Sequence, residues 1–88
     1  MRALKRAKPR GIPLSDLRVG ESARVVSMDL DEETAWKFME MGFGVGRRLR
    51  LVRRAPLGDP MELELLGYHL AVRSEDVEGI LVRPLKGA

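Results

Sequence analysis

The chain predicts a small, mostly β protein: an antiparallel barrel of about five short strands with one α-helix inserted after the first. Three observations carry this expectation. At 88 residues the chain has room for one domain only. Residues 47–54 and 61–66 alternate apolar and charged side chains on either side of the turn-dense stretch Ala55–Pro60, as a hairpin does. A single stretch, 29–41, carries helical periodicity, and the remaining apolar segments are short and punctuated by glycine.

The elements follow in order. Met1–Arg10 holds five basic residues and no acid, with no core-forming pattern, so residues 1–11 read as a mobile arm ahead of a domain over 12–85 and a tail over 86–88. Leu14 and Leu17, three apart, suit one helical turn pinned to a core, ended by Gly20. Glu21–Met28, with Val25 and Val26, reads as the first strand. Over 29–41, Asp29 and Glu32 are spaced as a capping box, and Asp31, Glu32 and Glu33 place negative charge at the positive end of the helix dipole. Ala35, Phe38, Met39 and Gly42 fall on one face, and Gly42 stands where a left-handed residue closes a helix. In the hairpin, setting Leu49 and Leu51 opposite Leu65 and Leu63 puts Arg50 opposite Glu64; a register two residues along sets Arg48 and Arg50 against Glu64 and Glu62. Strands at His69–Arg73 and Gly79–Pro84, separated by the acidic turn Ser74–Glu78, complete the reading.

Composition removes several function classes. Cysteine is absent, which excludes disulfides, thiolate metal sites and thiol nucleophiles. The single histidine, His69, has no companions at ligand spacing and reads as an ordinary surface residue, so no metal site, cofactor or catalytic constellation is expected and the protein reads as a non-enzyme. No apolar run approaches the ~20 residues of a spanning helix, and the basic N-terminus lacks the apolar core of a secretory signal, so a cytoplasmic location is expected. Asn and Gln are absent and Arg outnumbers Lys 12 to 4; missing thermolabile amides suit a thermophile, and a GC-rich genome produces the same arginine bias. The net charge of +3 divides unevenly: the arm carries +5, while 11 basic and 13 acidic residues leave the rest at −2. The basic balance therefore belongs to the arm.

Four segments, taken together, resemble a known family. Pro13-Leu14-Ser15-Asp16-Leu17-Arg18-Val19-Gly20 is similar to the Leu-x-x-Leu-x-x-Gly opening of the ferrous iron transport protein A (FeoA) family. Met39-Glu40-Met41-Gly42-Phe43-Gly44-Val45-Gly46 resembles its helix-ending Met/Leu-Gly-Phe/Leu-x-x-Gly segment, and Ala55-Pro56-Leu57-Gly58-Asp59-Pro60 its Ala-Pro-x-Gly-Asp-Pro loop. Leu70-Ala71-Val72-Arg73 followed by Ile80-Leu81-Val82 resembles its last two strands. The resemblance runs from about Pro13 to Pro84. Val45 stands where the family commonly has Pro, Val77 where it has Ala, and Lys37-Phe38 where a basic residue and Leu are usual. It implies an SH3-like barrel and a non-catalytic cytosolic accessory protein that binds, modulates or helps assemble a membrane ferrous iron transporter (FeoB-like) bearing a GTP-binding domain.

Candidate contact residues follow from position and chemistry. Trp36 lies about 200° around the helix from Phe38 and is expected to point outward as an aromatic anchor. Lys37, Met41, Phe43, Arg47 and Arg48 surround the Gly42 turn and are taken with it as the partner-binding set. Arg2, Lys5, Arg6, Lys8 and Arg10 of the arm are candidates for contact with an anionic membrane, which would place the protein peripheral to the inner face. The glycines at 42, 44 and 46 follow a helix and precede a strand, the reverse of a phosphate loop, and read as a cap and turn. The alternative function is a nucleic-acid-binding barrel using Arg47, Arg48, Arg50, Arg53 and Arg54; no aromatics interleave with them, and Glu62 and Glu64 face them. A polyproline-binding adaptor is disfavoured by the scarcity of aromatics. Oligomeric state is open, a homo-oligomer included.

Overall fold

A computed structural model describes residues 11–86. The arm expected over 1–11 and the tail over 86–88 fall outside the described residues except for Gly11 and Lys86, and so do Arg2, Lys5, Arg6, Lys8 and Arg10. Six strands occur: β1 (Ile12–Pro13), β2 (Ser22–Met28), β3 (Arg48–Arg54), β4 (Met61–Leu65), β5 (Tyr68–Val72) and β6 (Ile80–Pro84). Helix α1 (Glu32–Glu40) joins β2 to β3, and 3₁₀ turns cover Leu14–Asp16 and Ser74–Val77. The sheet order is β1-β6-β2-β3-β4-β5, antiparallel throughout. The expected five strands are all present, joined by β1. Two residues are too few for alternation to reveal, and Pro13 suits an edge strand because it has no N–H to leave unpaired.

One face of the sheet encloses the core: Ala23 and Val25 of β2, Leu49 and Leu51 of β3, Met61, Leu63 and Leu65 of β4, Val72 of β5, and Ile80 and Val82 of β6. Leu14 and Leu17 from the first 3₁₀ turn, Val77 from the second, and Phe38 and Phe43 close its ends. Two of these residues are aromatic; the rest are aliphatic.

The hairpin adopts the first expected register, with Leu51 opposite Leu63 and Arg50 opposite Glu64. A bulge after Leu51 then sets Arg53 opposite Glu62 and Arg54 opposite Met61. Ahead of the bulge Arg50 Nη2 lies 3.0 Å from Glu64 Oε1, and the bulge brings Arg53 Nε to 2.8 Å from Glu62 Oε1. Arg54 turns elsewhere: its Nη2 donates to the Ser15 and Leu17 carbonyls at 2.6 and 3.0 Å, tying the first 3₁₀ turn to β3.

The helix starts later than its charge pattern suggests. The N-cap is Asp31, whose Oδ1 accepts the Thr34 amide at 2.8 Å, and not Asp29. Asp29 continues the β2–β6 pairing, its amide donating to the Gly79 carbonyl at 2.8 Å. Strand pairing holds Asp29 outside the helix, and Asp31 caps it.

Candidate functional site

The C-terminus of α1 meets the β4–β5 turn, and the side chains around this junction form the candidate site. The helix ends in a Schellman motif. The Gly42 amide donates to the Met39 carbonyl and the Phe43 amide to the Phe38 carbonyl, both at 3.0 Å. Gly42 supplies the left-handed backbone this requires, at φ +104°. Phe43 folds back on Phe38, ring centroids 5.0 Å apart and planes at 82°.

That geometry decides which candidates reach solvent. Phe43 does not: it is 3% exposed, because the Schellman turn places its ring against Phe38 inside the core. Met41 is half-buried and packs against the core, and its carbonyl accepts the Tyr68 hydroxyl. Trp36 is 62% exposed. Lys37 is exposed. Arg47 is exposed and its Nε donates to the Gly42 carbonyl at 2.8 Å, bracing the turn. Arg48 is exposed, with Nη2 3.3 Å from the Ser22 hydroxyl.

Three exposed residues at this junction escaped the sequence reading. Met39 was expected inward with Phe38 but is 50% exposed. At 100° per residue it sits about 60° from Trp36 and about 100° from Phe38, so the helical wheel already contained the signal. Leu66 and Tyr68, 57% and 40% exposed, arrive from the β4–β5 turn. A Cβ on Gly42 would lie 2.6 Å from Leu66 Cδ1, and the Tyr68–Met41 hydrogen bond joins the same two elements. Only the folded hairpin brings them to the helix end. Trp36 and Met39 are thus exposed on the helix, and Leu66 and Tyr68 are exposed on the β4–β5 turn that meets its C-terminal end.

Three carboxylates elsewhere are engaged in structural hydrogen bonds. The Arg53 guanidinium and then His69 Nδ1, at 2.6 Å, hold the Glu62 carboxyl below its ordinary range. Hydrogen bonds from the Ser74 hydroxyl and amide do the same for Asp59 and fasten the β3–β4 loop to the second 3₁₀ turn. Asp31 is lowered by hydrogen bonding from Thr34. Among the described residues no three His, Asp or Glu side chains converge as a metal shell, and no helix is long and apolar enough to cross a membrane.

A six-stranded antiparallel barrel carrying one short helix defines a small SH3-like domain. The FeoA domain matches residues 12–84, and the chain belongs to the FeoA family. It is 33% identical over 69 residues to an Fe(2+) transport protein A/Fe(2+) transporter FeoB fusion protein of Porphyromonas gingivalis, a match covering 78% of this chain and 8% of that relative's length. The solution structure of FeoA from Chlorobium tepidum superimposes with a TM-score of 0.79 at 36% identity, covering 88% of this chain and 73% of the other. The crystal structure of Stenotrophomonas maltophilia FeoA complexed with zinc does so with a TM-score of 0.70 at 29% identity, covering 81% and 88%. That protein is described as an SH3 domain protein possibly acting as a ferrous iron transport activating factor.

Proposed function

We propose that this chain is a non-catalytic accessory protein that binds a membrane ferrous iron transporter with a GTP-binding domain and modulates or helps assemble it. The observation that carries the proposal is the Porphyromonas gingivalis relative, in which an FeoA segment and an FeoB transporter share one chain. Fusion raises the effective concentration of two parts that work together. Parts that work together also meet through an interface, and the exposed Trp36, Met39, Leu66 and Tyr68 supply the large apolar contacts that interfaces concentrate. Lys37 and Arg47, on and just after the helix end, add positive charge beside it. The arm, through Arg2, Lys5, Arg6, Lys8 and Arg10, adds attraction to the anionic inner leaflet at about 1 kcal/mol per basic residue near the surface. The protein works from the cytoplasmic side.

The nucleic-acid reading draws no support from the arginine run. Arg50 and Arg53 are paired with glutamates, while Arg47 and Arg54 are bonded to backbone carbonyls. The test is co-purification of the transporter from membranes of the same organism on the tagged full chain. Recovery of the transporter supports the proposal; its absence under mild detergent, with the chain folded, refutes it.

A further inference from the structure

The outward face of the sheet carries a row of arginines that no carboxylate among the described residues neutralises. In the antiparallel register Arg83 of β6 stands opposite Arg24 of β2, and Arg24 stands opposite Arg48 of β3. All three are exposed. None lies within salt-bridge distance of a carboxylate among the described residues, where the ion pairs fall at Arg50–Glu64, Arg53–Glu62, His69–Glu62 and Arg73–Glu75. Each Arg24 and Arg48 guanidinium makes one hydrogen bond to a neutral acceptor, the Gly46 carbonyl at 3.0 Å and the Ser22 hydroxyl at 3.3 Å, which leaves most of its five N–H donors free.

The neighbouring row on the same face shows the contrast. There Ser22, Arg50 and Glu64 stand side by side, and Arg50 is paired. Like charges directly opposed across strands destabilise a sheet, so two such oppositions in succession oppose folding. The row spans about 10 Å across three strands, with the guanidiniums on one open side. Five acids, Asp29, Asp31, Glu75, Asp76 and Glu78, line a shallow depression about 16 Å along β2 from Arg24.

We propose that the Arg83–Arg24–Arg48 row seats the barrel on the phosphate headgroups of an anionic phospholipid surface, independently of its protein partner. Guanidinium forks match phosphate oxygens. The row borders an open depression of about 380 Å³ formed by Arg24, Val25, Val26, Val45, Gly46 and Arg83, with Val45 71% exposed, so aliphatic side chains flank the charges. No aromatic anchor lines that depression, as a docked polypeptide would use. A fluid array of headgroups needs no matching pocket. Gly11, where the basic N-terminal sequence joins the barrel, sits against Val26, Leu81 and Val82 beside Arg83, so the attachment point shares this side.

The experiment is co-sedimentation of the full chain with vesicles of mixed phosphatidylglycerol and phosphatidylcholine, and with phosphatidylcholine alone, at low and high salt. Arg24→Thr/Arg83→Thr is compared with Arg18→Thr/Arg73→Thr, which removes the same charge elsewhere. The expected result is binding to the anionic vesicles only, weakened by salt, and reduced about 30-fold by the row variant against a much smaller loss in the control. Arg83→Glu, which gives Arg24 a cross-strand partner, should fold at least as stably as the parent and bind as poorly as the row variant. Equal losses in the row and control variants overturn the proposal, as does equal binding to neutral vesicles. So does a row variant that keeps lipid binding while losing retention on poly-glutamate resin, which would mark the row as a seat for an acidic polypeptide.

Discussion

Phe43→Ala tests how the helix end is built, and therefore which side chains remain for a partner. The Phe43 ring is 3% exposed and stacks edge-on against Phe38 at 5.0 Å. Truncating a core phenylalanine costs about 3–5 kcal/mol, through lost transfer energy and the cavity left behind. A domain of this size has a total stability of roughly 4–12 kcal/mol, so the variant should sit near the edge of unfolding. Trp36 is the larger aromatic, yet at 62% exposure its truncation should cost within about 0.5 kcal/mol. Urea titration followed by circular dichroism measures both. Phe43→Leu, which keeps most of the volume, should lose less than Phe43→Ala and confirm that packing is being read. A Phe43→Ala loss below about 1 kcal/mol, or a larger loss for Trp36→Ala, would show that the two rings had been wrongly assigned to core and solvent.

The remaining predictions concern the frame around the site. A Cβ at Gly79 would overlap the Asp29 carbonyl oxygen, a backbone atom, so Gly79→Ala should destabilise by roughly 3 kcal/mol, measured by the same titration. Arg54→Met removes the donors held by Ser15 and Leu17; a loss of about 2 kcal/mol and faster amide exchange in the first 3₁₀ turn are expected. Asp31, Asp59 and Glu62 have folded pKa values lowered from 3.8, 3.8 and 4.5. Their contribution is present above the ordinary carboxylate range and is lost as pH falls through the lowered folded values, so the urea midpoint should be flat above that range and fall below it. Carboxyl titration by NMR should place Glu62 lower in the parent than in Arg53→Met.

Much of the fold was legible because alternation and turn chemistry are local. Leu49, Leu51, Leu63 and Leu65 alternate with charges, and that pattern narrowed the hairpin to two registers, of which the structure takes the one with Leu51 opposite Leu63. The bulge after Leu51 was not legible, since it reflects where Arg53 and Arg54 find partners in three dimensions. The capping aspartate was misplaced because Asp29 is committed to Gly79, fifty residues away in sequence. For the site, Trp36 could be read from its angle to Phe38. Phe43 could not, because the Schellman turn reverses the chain between Met41 and that ring. Leu66, Tyr68 and the Arg83–Arg24–Arg48 row depend on strand order, in which β6 returns to lie between β1 and β2. No window of sequence contains that neighbourhood.

The central claim is that a contact through Trp36 holds the chain to a ferrous iron transporter. Its most direct measurement is the affinity of purified transporter in detergent for the full chain and for Trp36→Ala, with the fold of both checked by urea titration. Affinity lower by about tenfold or more, equivalent to about 1.4 kcal/mol, is the expected result, with stability unchanged. Equal affinity for the two folded proteins would contradict the claim.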